Sequence, residues 1–197
     1  MKEKYRLTGK DVITIGIFSA IYFVLNFIAM IGGVIPILWI LLPGTTAILT
    51  GVPYLMMVTK VRKPGAVMIM GLITAVLYFV TGQFTILILI TMLAACVLAE
   101  IVRFLTKYEN KLVYHAVSFV LFSYGMLGSP AALFVYRDSF LSQIAESMGN
   151  AYAEKMTSFI SAPMLTALCV SPIIGGIIGI LIAVKMFNKH FKKAGVV

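Results

Sequence analysis

The sequence has few charged residues. Only 12% of its 197 residues are charged, against about 25% in an ordinary soluble domain, and 61% are hydrophobic. A chain with a mean hydropathy of +1.04 carries more apolar surface than a core of this size can hide from water. The shortage of charge therefore excludes soluble enzymes, DNA-binding modules and disordered proteins. It indicates a chain that lies in a lipid bilayer.

Groups for catalysis and metal binding are also scarce. The interiors of the long apolar stretches contain no Asp, Glu, Lys or Arg, and Glu100 and Arg103 lie at the end of one stretch, where snorkelling explains them. The two cysteines, Cys96 and Cys169, form no CxxC or zinc pattern. Because ionisable groups inside a membrane mark function, we expect no catalytic residue, no metal site and no cofactor. The same scarcity argues against a membrane enzyme, an ion-coupled carrier and a charge-ringed channel.

The net charge of +9 is a topology signal. Fourteen of the sixteen basic residues fall in four segments, at 2–10, 60–63, 103–111 and 185–193. A multi-pass protein can place all four on one side, and the positive-inside rule makes that side the cytoplasm. No basic patch is interleaved with exposed aromatics, so we expect no nucleic acid as a partner.

Uncharged stretches of 17 residues or more mark the membrane spans. They predict one all-α membrane domain, residues 1–197, with six spans and both termini in the cytoplasm. A capping box at Thr8–Asp11 favours a helix that begins at the membrane face. The alternative, a cleaved signal peptide, fits less well because the first apolar core is long for one. The predicted spans are about 12–31, 37–59, 64–80, 84–102, 112–136 and 156–184.

The segment 137–155 between the last two spans is the most polar part of the chain. Phe140, Ile144, Met148 and either Ala151 or Tyr152 recur at helical spacing and predict a short amphipathic helix over the outer mouth of the bundle. Asp138 is placed to cap this helix, and Gly149-Asn150 to end or kink it. The alternative is a surface helix that only joins the fifth and sixth spans.

Polar and aromatic residues gather towards the outer ends of the spans. Aromatic walls with a few polar groups are typical of a pocket for a small ligand, whereas the alternative for Trp39, Tyr78 and Tyr136 is an interfacial aromatic belt. Arg137 and Asp138 either hold a carboxylate or phosphate of the substrate or only cap and anchor the loop helix. The candidate substrate-binding residues are Asn26, Trp39, Tyr78, Gln83, Phe84, Tyr124, Tyr136, Arg137 and Asp138.

Small residues spaced four apart occur on most spans, which lets helix backbones approach closely. Internal packing explains most of these pairs. The pair Gly16 and Ala20 on the first span is the exception, because a bundle this small has few internal partners for that face. We expect it to be a docking surface for another subunit.

Six short segments follow one another along nearly the whole chain. They are KDVITIGIFSA at 10–20, GVP at 51–53, TGQ at 81–83, RDSF at 137–140, MG at 148–149 with Tyr152, and KHFKKAG at 189–195. Each motif alone is weak, but in this order they resemble one family, the Trep_Strep integral membrane proteins, regarded as substrate-binding S components of energy-coupling factor (ECF) transporters.

The resemblance implies a six-helix subunit of the bacterial cytoplasmic membrane that captures a micronutrient outside the cell. It implies docking through Gly16 and Ala20 on an ECF transmembrane scaffold subunit, with ATP hydrolysed by two separate ATPase subunits. The substrate is left open between a vitamin and haem or another iron compound, and the few charges near the pocket favour an apolar or aromatic ligand. The alternative function is a stand-alone channel or carrier that is not coupled to ATPases.

Overall fold

The structure is a computed structural model that describes residues 6–83 and 85–187. Within those two ranges every regular element is a helix, so the prediction of an all-helical protein is confirmed. The α-helices are α1 (Gly9–Ile31), α2 (Pro36–Ile40), α3 (Leu42–Lys60), α4 (Ala66–Val80), α5 (Ile86–Leu105), α6 (Leu112–Ser123), α7 (Gly128–Val135), α8 (Arg137–Met148), α9 (Asn150–Ser158) and α10 (Ala162–Met186).

Five helical segments of the described chain are long and apolar enough to cross a membrane, which fits a multi-pass integral membrane protein. The third of the predicted spans corresponds to α4, which is apolar but shorter. Its 15 residues rise about 22 Å, less than the ~30 Å of a hydrocarbon core. Six spans therefore stay a prediction. The five long segments are Gly9–Val34, Leu42–Lys60, Ile86–Leu105, Leu112–Val135 and Ala162–Met186.

Three of the predicted spans differ in detail from the helices of the structure, each near a proline. The predicted span 37–59 is two helices, because α3 restarts after Leu41 with Pro43 in its first turn. The predicted span 112–136 contains a 3-10 turn, Tyr124–Leu127. Pro130 lacks the backbone N–H that would bond to the carbonyl of Met126, so the α-helical pattern is interrupted at this turn. The predicted start of the last span at 156 belongs to α9, and α10 begins only at Ala162.

The start of α1 is confirmed as a capping box. The side-chain oxygen of Thr8 accepts from the Asp11 backbone N–H at 3.4 Å, and Asp11 Oδ2 accepts from the Thr8 N–H at 2.7 Å. Asp11 also pairs with Lys63 at 2.6 Å. The pair joins the start of α1 to the turn between α3 and α4.

Two helices, α3 and α10, pack backbone to backbone at the centre of the bundle. A Cβ atom built on Gly51 would overlap the backbone of Gly179, and one built on Gly175 would overlap the carbonyl of Gly44. Since 44 meets 175 and 51 meets 179, the two helices run parallel. Their small residues pack inside the bundle, as expected for most of the small-residue pairs.

Glu100 and Arg103 do not snorkel, so that interpretation is wrong. Arg103 is only 2% exposed and donates to the carbonyl of Val61 at 2.8 Å, with its guanidinium 5.4 Å from the ring centre of Tyr108. Glu100 accepts from the backbone N–H groups of Gly65 and Val67 at 2.9 and 3.2 Å, at the start of α4. The two side chains hold the α3–α4 turn against α5.

The segment 137–155 forms two short helices. The predicted amphipathic helix is α8, and Gly149, with a φ of +89°, separates it from α9. Asp138 does not cap α8: Tyr136 occupies the N-cap position without a side-chain bond, and Asp138 lies in the first turn. Both helices contact an apolar cluster of their own, built on Ile40, Leu133, Ile144, Met156 and Leu168.

Candidate functional site

A cavity of about 400 Å³ lies under α8, at the end of the bundle that also carries α2 and α9. Five residues of α8 line it at helical spacing, so one face of that helix covers the cavity. This is the arrangement that the apolar stripe of 140–152 predicts. The lining residues are Trp39, Gly82, Gln83, Thr85, Ile88, Ser129, Phe140, Gln143, Ile144, Ser147, Met148 and Tyr152.

Two aromatic side chains form one wall of this cavity. The rings of Trp39 on α2 and Phe140 on α8 lie 5.2 Å apart between centroids, with an interplanar angle of 32°. Trp39 and Phe140 also contact the small apolar cluster beneath them. That packing fixes both rings against the helices on either side of the opening, as a ligand site requires.

Tyr152 attaches the cover of the cavity, formed by α8 and α9, to the rest of the protein. Its hydroxyl donates to the backbone carbonyl of Gly33, in the turn between α1 and α2. Burial raises the pKa of Tyr152 above its ordinary value, so the phenol stays protonated at neutral pH and remains a donor. Trp39 and Tyr152 thus join α8 and α9 to the turn after α1.

The polar groups of the cavity are amides and hydroxyls. Gln83, Gln143 and Ser147 are exposed and mark its opening, and Thr85 and Ser129 lie beside them. Thr85 is also the N-cap of α5, with its hydroxyl accepting from the Ile88 N–H at 3.2 Å. Among the described lining residues none is Asp, Glu, Lys, Arg or His. The cavity therefore offers hydrogen bonds and ring faces without a formal charge.

Asn26 and Tyr78 lie deeper in the bundle than this cavity. Asn26 is fully buried on α1 and its amide donates to the carbonyl of Tyr22 at 2.9 Å, while Tyr78 on α4 is 1% exposed and packs on Phe23. Within the described chain, Asn26 Oδ1 and the Tyr78 hydroxyl have no hydrogen-bond partner. The backbone carbonyl of Tyr78 accepts from the N–H of Gln83, which lines the cavity. Two unpaired polar groups thus lie on the inner side of the site.

Four further predicted site residues, besides Asn26 and Tyr78, lie outside the cavity lining. Tyr124 donates to the carbonyl of Cys169 at 2.8 Å, and Tyr136 is 51% exposed at the end of α7. Arg137 is exposed, and Asp138 lines a separate groove between α8 and α9. The structure thus brings only Trp39 and Gln83 of the predicted set to the cavity itself. Phe84 and the motif at 189–195 fall outside the described residues.

The docking pair predicted on α1 faces away from the bundle. A Cβ built on Gly16 would meet no atom within 4 Å, and Ala20 is exposed. Their neighbours Ile13 and Ile17 are exposed as well, whereas Ile15 and Tyr22 on the other face are buried. Space for a partner helix therefore exists at this position.

The described groups at the site include no metal-holding cluster. In the described part of the chain no three His, Cys, Asp or Glu side chains lie close enough together to hold a metal ion. His115 lies on α6 near the opposite end of the bundle, with its Nε2 2.9 Å from Asn110 Oδ1. The cavity can position a small molecule through rings, amides and hydroxyls.

Comparison with known proteins places the chain in a family. A profile of the family described as "Hypothetical bacterial integral membrane protein (Trep_Strep)" matches residues 9–193. No curated protein and no solved structure matches the chain at a significant level. The matched range contains all ten helices and the whole cavity lining. The chain belongs to the Trep_Strep family of bacterial integral membrane proteins.

Proposed function

We propose that this protein is the substrate-binding S component of an ECF-type importer. It would capture a micronutrient in the cavity under α8 and deliver it inward with an ECF scaffold subunit and two ATPases. The observation that carries the proposal is this covered cavity, which combines an aromatic wall with uncharged polar groups. The order of motifs shared with proteins regarded as S components supports the assignment.

The charge distribution supports an outward-facing cavity. The described basic residues other than Arg137 and Lys155 lie at the end of the bundle opposite α8. They are Arg6 just before and Lys10 at the start of α1, Lys60, Arg62 and Lys63 where α3 turns into α4, Arg103 near the end of α5, Lys107 and Lys111 between α5 and α6, and Lys185 near the end of α10. The segment with α8 and α9 holds two basic and three acidic residues. The positive-inside rule then places the cavity outside the cell and both termini in the cytoplasm of a bacterium. This orientation requires six crossings, with α4 as the third.

The open face of α1 supports docking on a scaffold subunit. Most small-residue pairs of the chain pack internally, as Gly51 does against Gly179, but Gly16 meets nothing within 4 Å. A glycine and an alanine one turn apart let a second helix come close in a membrane, where packing drives association. Gly16 and Ala20 are therefore the proposed contact with the scaffold.

The test is co-expression with an ECF scaffold subunit and two ATPases, followed by co-purification and ATP-dependent uptake. Ala20→Leu should abolish co-purification while the cavity keeps its ligand, because the added bulk pushes a docked helix away. Ala94→Leu is the matched control, since Ala94 is an exposed alanine on α5. Uptake that persists without the scaffold and ATPases would contradict the proposal and favour a stand-alone carrier.

A further inference from the structure

The cavity under α8 has ring faces and hydrogen-bonding groups but no charged side chain among its described lining residues. We infer that its ligand is an uncharged heteroaromatic molecule that presents both hydrogen-bond donors and acceptors. Anionic compounds, including phosphorylated cofactors and haem with its two propionates, are then excluded as ligands. This inference rests on the proposed capture function and adds the substrate class.

The charged residues of α8 and α9 are absent from the cavity lining. Asp138 and Glu154 line the groove between α8 and α9, on the side of α8 away from the cavity. Arg137 is exposed and does not line the cavity. An anion covered by α8 would lose hydration without gaining a paired charge, which costs free energy. A neutral molecule incurs no such cost.

The aromatic wall indicates a flat ligand. Trp39 and Phe140 are held at the cavity by α2 and α8, and their rings lie within 5.2 Å of each other. Offset and edge-to-face contacts with another ring are favourable at such separations. A planar ligand can contact the ring pair while its edges reach Gln83 and Gln143, whose amides each offer donors and an acceptor.

The N-terminus of α5 supplies hydrogen-bond donors at the cavity. Thr85 accepts from the Ile88 N–H, and the other N–H groups of the first turn carry the partial positive charge of the helix end. They can donate to a ligand carbonyl oxygen or to an anion. The selection against anions therefore comes from the uncharged side chains of the described lining residues and not from this helix end.

Matched pairs of probes test the inference on the purified full-length protein. The pairs are nicotinamide and nicotinate, pyridoxine and pyridoxine 5′-phosphate, and riboflavin and riboflavin 5′-phosphate, with haem as a seventh probe. Trp39 is the single tryptophan of the chain and lines the cavity, so its fluorescence responds to a ligand bound there. Flavins and haem also quench tryptophan by energy transfer at longer range, and for these probes Trp39 quenching is accompanied by equilibrium dialysis. We expect the neutral member of at least one pair to quench Trp39 and to bind at least tenfold tighter than its anionic partner.

Charge insertion provides the second measurement. Gln143→Lys places a cation on the cavity side of α8 and should reduce the neutral-over-anionic ratio at least tenfold. Ser142→Lys is the matched control, because Ser142 lines the groove on the other side of α8, and it should leave the ratio unchanged. An equal effect of both variants would show that long-range charge, and not this cavity, sets the ratio.

The outcomes separate this inference from the proposed function. Equal or tighter binding of an anionic member or of haem to the wild-type protein overturns the inference, as does the failure of all seven probes to quench Trp39. Either result leaves ATPase-dependent uptake intact as evidence for an S component. Conversely, selective binding of a neutral probe without scaffold association supports the inference and contradicts the proposed function.

Discussion

Tyr152 on α9 donates a hydrogen bond to the carbonyl of Gly33, which precedes it by 119 residues. The bond joins the last helix of the cover to the turn that follows the first helix of the bundle. Gly33 is also packed beneath Trp39, since a Cβ on Gly33 would lie 3.0 Å from the Trp39 ring. The position of Trp39 and the hydrogen bond of Tyr152 therefore both depend on the turn at Gly33.

Removing this bond should loosen the cover. Tyr152→Phe leaves the Gly33 carbonyl without its donor and should lower the free energy of unfolding by about 1 kcal/mol, measured by thermal or chemical unfolding in detergent. Tyr136→Phe is the control, because Tyr136 is exposed at the same end of the bundle and should show no change. Equal effects of the two variants would refute a structural role for the Tyr152 hydroxyl.

The backbone contact between α3 and α10 should not tolerate a methyl group at Gly51. Gly51→Ala places its Cβ inside the backbone of Gly179 and should destabilise the protein by about 1–3 kcal/mol or more. Gly16→Ala makes the same chemical change inside α1, where no atom lies within 4 Å, and we expect no loss of stability and a gain of at most about 1 kcal/mol. The melting temperatures of both variants in one detergent measure the difference. A Gly51→Ala protein as stable as the wild type would contradict the close contact between Gly51 and Gly179.

The proposed orientation is tested by cysteine labelling in intact cells. In a background with Cys96 and Cys169 replaced by alanine, Glu146→Cys on α8 should react with an impermeant maleimide added outside. Arg62→Cys, exposed in the turn between α3 and α4, should react only after the cells are permeabilised. The reverse pattern would invert the topology and place the cavity in the cytoplasm.

The pairing of Arg103 with Glu100 should matter far more than surface pairs. Arg103→Leu leaves the Glu100 carboxylate without its cation and the Val61 carbonyl without its donor, at a cost of about 3 kcal/mol. Lys111→Ala, which breaks an exposed pair with Glu109 at 2.8 Å, should leave the melting temperature unchanged. Similar melting of all three proteins would show that the buried guanidinium is dispensable.

Arg137 should not contribute to ligand affinity. Because its side chain is exposed outside the cavity lining, Arg137→Ala should change the affinity for the neutral probe that quenches Trp39 by less than twofold. Gln143→Ala removes a lining amide and should weaken the same probe about fivefold, the equivalent of one hydrogen bond. A large loss of affinity in Arg137→Ala would contradict this expectation and support the predicted contact of Arg137 with the substrate.

Much of the fold follows from local sequence signals. The capping box at Thr8 and Asp11 and the break at Gly149 are short-range features, and the structure confirms both. The apolar stripe of α8 also indicated which face covers the cavity. The Tyr124–Leu127 turn was missed because the uncharged run was taken as one span, although Gly125, Gly128 and Pro130 weaken an α-helix there.

The candidate site was only partly predictable, since it depends on which helix ends meet. Trp39 and Gln83 were identified by residue type, but Gln143, Ser147 and Tyr152 were not placed in the predicted site. Their spacing on the stripe was the available signal. Arg103 was misinterpreted because sequence position at a span end does not reveal that the α3–α4 turn folds over it.

The parallel contact of α3 with α10 has a consequence for membrane insertion. α3 has a mean hydropathy of only 1.2, against 2.5 for α10, yet α10 is made about a hundred residues later in synthesis. Until then the small-residue face of α3, formed by Gly44, Ala47 and Gly51, lacks the helix that packs against it. Ribosome-bound chains that end before Ala162 should therefore hold α3 at the translocon or against a membrane chaperone, and release it only when the last helix arrives.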